Sequence, residues 1–232
     1  MSTDTPLFEV ALQIDDVDLR LVREADLSEL ADLLPADVDQ DPAAERLIGL
    51  DDRANRRRVL HQSYWRALAT FSPSAWQLPL AVRQGGALVG VQTLEGTDFV
   101  SLRTVDSASW LSSAARGRGI GIAMRTAVLT LAFDHLGALV AISSAEPTNH
   151  ASLGVSRRLG YQDNGLSMIN SPRGAVPLQH QRLTVERWRA TAGERPAVRV
   201  SNLTACLPWF GLDESGTRTA RLVGGGKHGD HA

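Results

Sequence analysis

The amino-acid sequence predicts an α/β fold (α+β in some classification schemes) with a mixed central sheet flanked by helices. Short apolar strands alternate with helical segments through the middle of the chain, which is typical of helices layered on a sheet. Residues 99–142 have the order strand, helix, strand, which predicts one parallel pair. A Gly85-Gly86 turn joins two apolar segments upstream, so antiparallel strands are expected beside that pair.

The first elements lie within the N-terminal 70 residues. Alternating polar and apolar side chains predict a strand over residues 18–22. A helix is predicted over residues 27–34, because Asp26 and Glu29 have the spacing of a capping box at its start. A polar helical region follows over residues 42–70, and we expect its arginine run to face solvent.

The other elements follow from residue 78 onwards. They are hairpin strands 78–82 and 87–91, an extended stretch 99–111, a helix 120–136, a strand 138–142, a helix 149–159, a strand 178–183 and a short helix 184–191. This organisation predicts one domain over residues 1–191 and a C-terminal extension over residues 192–232. We expect the apolar start of the extension to dock on the domain and its glycine-rich end to be flexible.

Composition and charge exclude several classes of protein. The 232 residues carry a formal net charge of −2, so we expect no nucleic-acid partner. The single cysteine, Cys206, excludes an internal disulfide framework. The N-terminus lacks the pattern of a secretory signal, and no apolar run approaches the ~20 residues that span a bilayer. We therefore expect a cytoplasmic protein that does not bind membranes.

A glycine-rich segment carries the clearest chemical signal. Gly117, Gly119 and Gly121 alternate with other residues where a strand has ended and a helix begins. Glycine lets the backbone approach a bulky anion, and N–H groups at a helix start attract one. The lysine of a P-loop is missing, and the spacing differs from that of a dinucleotide-binding turn. From the residues alone, a purely structural turn is the alternative.

Two motifs in this part of the chain resemble those of the GNAT superfamily of N-acyltransferases. Arg116-Gly-Arg-Gly119-Ile-Gly121 is similar to the superfamily's Gln/Arg-x-x-Gly-x-Gly/Ala signature, whose amides bind the pyrophosphate of coenzyme A. The segment from Asn149 and Ser152 to Leu159-Gly160-Tyr161 is similar to one in the ribosomal-protein N-acetyltransferase-like branch. The resemblance covers residues 19–188.

A closer resemblance is to an actinobacterial subgroup of GNAT proteins that includes a mycobacterial succinyltransferase. It rests on residues 78–82, 105–111, 155–158 and 160–165. It implies acetyl-CoA or succinyl-CoA as the co-substrate. A succinyl carboxylate would need a cationic partner. Arg103 is the nearest arginine on the extended stretch, but strand alternation places it on the opposite face from Asp106 unless a bulge intervenes. The alternative is an arginine from residues 42–70, of this or a neighbouring subunit.

The resemblance also implies a GNAT fold, in which the strand before the glycine segment splays from its parallel neighbour. The splay leaves backbone groups free for the pantetheine arm and the acyl carbonyl. Here that strand is residues 105–111, and we expect the N–H of Trp110, or of an immediate neighbour, to face the thioester oxygen. The expected cofactor-binding residues are Trp110, Leu111, Arg116, Gly117, Arg118, Gly119, Ile120, Gly121, Asn149, Ser152 and Arg158.

Asp106 and Ser152 are the candidate catalytic residues. Asp106 stands ten positions before Arg116, where related sequences carry an acidic residue, and its carboxylate could accept a proton from an amine. The alternative is a local hydrogen bond only. Ser152 matches a serine that can protonate the leaving thiolate in relatives. For Ser152 and Asn149 the alternative is capping of the helix start.

The predicted function is transfer of an acetyl or succinyl group from coenzyme A to a primary amine of a protein or small molecule, by direct attack. The histidines and the cysteine lack metal-ligand spacing, so no metal is expected. One alternative is a catalytically silent coenzyme A-binding module with a regulatory or assembly role. Another is a nucleotide-binding protein that uses the same glycine segment. A homo-oligomer is compatible with the predicted edge strands.

Overall fold

The computed structural model describes residues 5–38, 44–171 and 174–213. The strands in this part of the chain are β1 (Ala11–Ile14), β2 (Val17–Leu21), β3 (Ala75–Gln84), β4 (Ala87–Thr97), β5 (Thr104–Leu111), β6 (Val140–Ala145), β7 (Gln162–Ser171), β8 (Gly174–Thr184) and β9 (Arg199–Ser201). They form one sheet in the order β7-β8-β6-β5-β4-β3-β2-β1-β9. β5 and β6 pair in parallel, and the other neighbours pair antiparallel.

Helices cover both faces of the sheet. They are α1 (Leu27–Leu33), α2 (Asp52–Ala69), α3 (Phe99–Leu102), α4 (Ile120–Thr130), α5 (His150–Arg158) and α6 (Val185–Ala190). α4 packs on β1, β2 and β4 and contacts α5, whereas α1 and α2 lie over β4 and β3. The predicted α/β architecture with a mixed sheet is confirmed.

Alternation along the strands builds a hydrophobic layer on each face. On β3, Leu80 and Val82 join the larger cluster beneath α4, while Ala81 joins a smaller one beneath α1 and α2. On β4, Leu94 belongs to the larger cluster and Val91 to the smaller one. Both faces of the central strands are therefore covered by helices and largely buried.

The C-terminal extension begins by adding to the same sheet. β9 pairs with β1, and a 3₁₀ segment follows over Thr204–Phe210. Phe210 is fully buried, with its ring centroid 5.0 Å from that of Trp76 and 5.7 Å from that of Phe71. The flexible end predicted for the extension falls on residues 214–232, which lie outside the described residues.

Several local predictions need correction. Within the helical region predicted over residues 42–70, residues 44–51 are irregular and α2 begins only at Asp52. The extended stretch 99–111 begins instead with α3, flanked by Asp98 and Arg103 with φ near +47°, and only then becomes β5. β1, β7 and β9 were not predicted. Asp26 does not cap α1 with its side chain; its carboxylate accepts the Arg23 N–H at 2.9 Å and pairs with Arg83 at 2.7 Å.

Candidate functional site

β5 and β6 part in the middle of the sheet. Their parallel pairing ends at Asp106 and Ile142. Beyond this point β5 continues against β4 while β6 continues against β8. The resulting gap confirms the splayed parallel pair, and Ala108 and Ser109 of β5 are exposed beside it.

The pairing of β5 with β4 decides which N–H groups face this gap. The N–H of Ser112, just after β5, donates to the Val89 carbonyl at 2.8 Å. N–H groups of alternate residues point to the same side of a strand, so that of Trp110 also points to β4. Those of Ser109 and Leu111 then point into the gap. The geometry thus favours Leu111 or Ser109, the two immediate neighbours of Trp110, over Trp110 itself for the expected thioester contact. The Trp110 side chain packs beneath α1 and α2.

The glycine segment forms a tight turn into α4. Gly117 and Gly119 have φ values of +74° and +82°, and a Cβ added to either would meet no atom within 4 Å. Gly119 is the N-cap of α4, so the next N–H groups lack acceptors within the helix, as at any helix start. The α4 dipole adds partial positive charge there. Open space, free donors and positive potential fit the pyrophosphate of coenzyme A.

Ile120 and Gly121, the first residues of α4, can offer a ligand only their main chain. The Ile120 side chain is buried in the core. A Cβ on Gly121 would lie 3.5 Å from Cγ2 of Val155 on α5, an ordinary packing contact. A side chain at position 121 would therefore point to α5 rather than into the turn.

The two arginines of the segment differ in their surroundings. The guanidinium of Arg116 donates to the two carboxylate oxygens of Asp37 at 2.6 and 2.9 Å, and its Nε donates to the Leu111 carbonyl at 3.2 Å. This pairing lowers the pKa of the Asp37 carboxyl and raises that of Arg116. Arg116 can contact a cofactor only if its exposed ion pair with Asp37 first opens. Arg118 is exposed on the turn.

Asn149 and Ser152 lie at the start of α5. The Asn149 carbonyl oxygen accepts the Ser152 N–H at 3.0 Å, so Asn149 caps the helix as the alternative interpretation held. Its amide nitrogen and the Ser152 hydroxyl are not used by this cap. Arg158 is exposed in the last turn of α5, about 9 Å along the axis from Ser152. The structure therefore does not bring Arg158 close to Ser152.

Asp106 lies where the two strands part. Its carboxylate accepts the Ser107 N–H at 2.6 Å, which is the local hydrogen bond of the alternative interpretation. Burial raises the pKa of Asp106 to about 6 despite that bond, and Glu95 nearby adds to the rise while Arg125 and His180 oppose it. A carboxylate with this pKa is ionised at neutral pH and is a stronger base than an exposed aspartate.

Glu95 on β4 is the cross-strand partner of Asp106. The Gln77 amide of β3 donates to its Oε2 at 2.7 Å. Two carboxylates at paired positions make an acidic site that favours an ammonium group. The sequence did not predict Glu95, because only the strand register brings it beside Asp106.

Arg125 of α4 is a buried cation beneath the gap. It is 3% exposed, and its guanidinium donates to Ser143 Oγ on β6 at 3.2 Å and to Ser109 Oγ on β5 at 3.5 Å. No carboxylate in the described ranges lies within ion-pair distance of it. The residue was missed, although an arginine in the apolar stretch 120–129 is a sequence signal. It bridges the parted strands and supplies positive charge close to Asp106.

Tyr161 is buried behind the same gap. Burial raises the pKa of its hydroxyl, and nearby Arg125 and Ser107 oppose the rise.

Among residues 5–38, 44–171 and 174–213, no three His, Cys, Asp or Glu residues are grouped closely enough to hold a metal ion. None of the described helices is both long and apolar enough to cross a bilayer.

Comparison with a family model agrees with this fold. Residues 16–162, well over half of the chain, match the acetyltransferase (GNAT) domain. The chain therefore belongs to the GNAT acetyltransferase family, a class of enzymes that use acetyl-CoA.

Solved structures share the fold at low sequence identity. RimJ of Mycobacterium smegmatis in complex with CoA-disulfide is 21% identical, with a TM-score of 0.65 over 82% of this chain and 97% of that one. Ribosomal-protein-S5-alanine acetyltransferase of Vibrio fischeri is 13% identical, with a TM-score of 0.59 over 77% and 98% of the two chains. A spermidine N-acetyltransferase SpeG chimera involving Vibrio cholerae is 13% identical, with a TM-score of 0.57 over 75% and 99%. At these identities the likeness concerns the fold.

Proposed function

We propose that this protein is an N-acyltransferase that moves an acetyl or succinyl group from coenzyme A to a primary amine by direct attack. One observation carries the proposal: the parallel strands part at Asp106, a carboxylate whose pKa is raised to about 6, and the strand that leaves the pair leads to an open turn at the start of α4. A donor held by its pyrophosphate at the turn and its pantetheine arm in the gap would bring its acyl carbon near that carboxylate.

The acyl-CoA supplies a thioester that is already activated toward amines. The chain must orient the donor, accept a proton and stabilise an oxyanion. In our proposal Glu95 holds the ammonium, which loses one proton to solvent before the attack. Asp106 then takes the second proton of the nitrogen, directly or through one water, as the C–N bond forms. The N–H of Ser109 or Leu111 donates to the carbonyl oxygen as the C–N bond forms. The C–S bond then breaks, and Ser152 or solvent gives a proton to the thiolate.

The choice between acetyl and succinyl donors is part of the proposal. A succinyl carboxylate in a closed gap needs a cation or several donors. Arg103 is engaged elsewhere, since its guanidinium donates to the Leu136 carbonyl at 3.1 Å and lies 5.5 Å from the Phe99 ring centroid. Arg125 is the better-placed cation. A succinyl preference that is lost in Arg125→Met would support this partner, and equal rates with both donors would contradict it.

The acceptor is a primary amine of a protein or a small molecule. Structural neighbours named for ribosomal-protein and spermidine acetylation support both kinds. We place the reaction in the cytoplasm; the lone cysteine, Cys206, which is buried as a free thiol, is compatible with a reducing compartment.

Thiol release tests the proposal. Acetyl-CoA and succinyl-CoA are each combined with a lysine-rich protein, spermidine and small amines. Asp106→Asn should lower turnover by ~10²-fold or more with little change in donor Kd, because the base is lost and the donor site is kept. Asp18→Asn, which alters a carboxylate three strands away, is the matched control. Binding of coenzyme A without any thiol release would favour the silent binding module instead.

A further inference from the structure

A partly open cavity of about 170 Å³ lies between α1, α2 and strands β3, β4 and β5. It adjoins the gap, because Ala108 and Trp110 of β5 form one of its walls. A cavity of about 150 Å³ lined by apolar side chains is large enough to bind benzene. This one can therefore hold a single branched or aromatic group.

The cavity has an apolar floor and a more polar mouth. Leu27, Leu30 and Tyr64 of the floor are buried at 7% exposure or less. Ser63 of α2 and Gln77 of β3 line the cavity as exposed side chains and mark its mouth. A ligand with one apolar end and one polar end would match this gradient.

The mouth leads to the acidic pair of the gap. Thr93 and Ala108 line the cavity and are themselves cross-strand partners. Glu95 and Asp106 are the next pair on the same face, about 7 Å further along the strands. Gln77 links the two regions, since it lines the cavity and donates to Glu95. Negative charge and an apolar floor therefore lie within one small molecule's length of each other.

We propose that the acceptor is a primary amine carrying one compact apolar group, which enters this cavity while the ammonium faces Glu95 and Asp106. This inference rests on the proposed acyl transfer and narrows its substrate class. An N-terminal leucine, methionine or phenylalanine and a free arylalkylamine share this chemistry. The cavity is assigned to the acceptor rather than to a long acyl chain because an acyl chain has no cationic group to match the acidic pair.

The test uses small amines of graded apolar size on the full-length protein. Phenethylamine and isoamylamine are compared with ethylamine and ethanolamine, with acetyl-CoA as the donor for turnover. Binding of the same amines to the coenzyme A-loaded protein is followed by saturation-transfer NMR. We expect kcat/KM at least tenfold higher for phenethylamine than for ethylamine, with binding in the same order.

Two variants locate the apolar group in the cavity. Ala67 lines the cavity and is 4% exposed, so Ala67→Leu fills space there. Ser63→Leu obstructs the mouth from an exposed position and avoids any cost to the core. Each should remove the tenfold preference for phenethylamine over ethylamine, since only the larger amine needs the volume. Ala69→Leu, at an exposed position of the same helix, is the matched control and should keep the preference.

The outcomes separate this inference from the function on which it rests. In one outcome the larger amines bind more tightly, Ala67→Leu or Ser63→Leu abolishes this difference, and no thiol is released. That outcome supports the proposed ligand class and overturns acyl transfer to these amines. Equal binding and equal rates for ethylamine and phenethylamine overturn the inference. It is equally overturned if no amine binds, or if octanoyl-CoA is preferred to acetyl-CoA in a way that the two variants abolish, because the cavity would then hold the acyl chain.

Discussion

Asp106 sits between charges of both signs on neighbouring elements. Glu95 faces it from β4, Arg125 from α4 and His180 from β8, while burial holds its pKa at about 6. If Asp106 is the base, kcat/KM should rise with pH through an apparent pKa near 6, because only the ionised form accepts a proton. Removing each neighbour should move this rise in a direction that its charge dictates.

Glu95→Gln should shift the acidic limb to lower pH, because loss of a negative neighbour favours ionised Asp106. Arg125→Met should shift it to higher pH, and Arg125→Lys should keep it near the wild-type position. The measurement is kcat/KM against pH with one amine, so that the ionisation of the amine is common to all variants. If the acidic limb of the pH profile lies at the same pH in the wild type, Glu95→Gln and Arg125→Met, Asp106 is not the titrating base.

Asp106 should also cost stability at neutral pH. The folded pKa of about 6 exceeds the ordinary value of 3.8, so folding disfavours the ionised form. Below pH 3.8 both states are protonated and there is no penalty; above about pH 6 the penalty is complete. Asp106→Asn should therefore raise the free energy of unfolding by up to about 3 kcal/mol at pH 8, with no gain near pH 3.5. Urea unfolding at both pH values checks this, and an equal gain at both would refute the charge argument.

At this scale the sequence identified the carboxylate but not its surroundings. Asp106 was predicted from the resemblance to related sequences, which carry an acidic residue ten positions before Arg116, and its role as the base stays a prediction. Glu95 reaches the site only through strand register, and Arg125 only through the packing of α4 against the sheet. Neither relation can be deduced from spacing along the chain.

The turn into α4 is the element that we expect to hold the pyrophosphate. Gly119→Val puts a β-branched residue at φ +82°, so the turn must distort and its N–H groups must move. Acetyl-CoA binding should weaken at least tenfold by calorimetry, which corresponds to about 1.4 kcal/mol. Gly165→Val carries the same backbone strain at φ +98° in β7, away from the turn. If Gly119→Val and Gly165→Val lose the same amount of stability and both bind acetyl-CoA normally, the anion site lies elsewhere.

The elements that the sequence predicted well share a strong apolar period. The helix expected at 120–136 appears as α4 with a π-helical turn, Leu131–His135, and Gly137 follows at φ +69°. β7 was missed because it lies at the edge of the sheet, where its residues 162–170 are all exposed. A strand without a buried face has no alternation of apolar and polar residues from which it could be predicted. The helix α3 was missed because a single turn leaves too short a pattern.

For the whole molecule, the question is whether the extension belongs to the cooperative unit. Phe210 packs with Trp76, Phe71 and the other aromatic rings of the main core. Phe210→Ala should lower the free energy of unfolding by about 3 kcal/mol, the usual cost of such a cavity. Leu166→Ala, 66% exposed on β7, should change it by less than about 0.5 kcal/mol. A separate early transition in Phe210→Ala would instead make residues 192–213 an independently melting appendage.

The domain boundary at residue 191 and a homo-oligomer both stay predictions. β9 and the buried Phe210 support docking of the extension, as composition suggested. Exposed Leu166 and Met168 on β7 are apolar surface that an oligomer could cover. Long-range assembly of this kind leaves no periodic signal in a single sequence, which is why composition gave only the general expectation.

A crystal structure of the protein with coenzyme A tests the central claim most directly. We expect the pyrophosphate at the N–H groups of Gly119 to Gly121, and the pantetheine arm between β5 and β6 alongside Ser109 and Leu111. The sulfur should lie within reach of one bridging water from the Asp106 carboxylate. Coenzyme A bound outside the gap, or a sulfur too far from Asp106 for one water to bridge, would contradict the account.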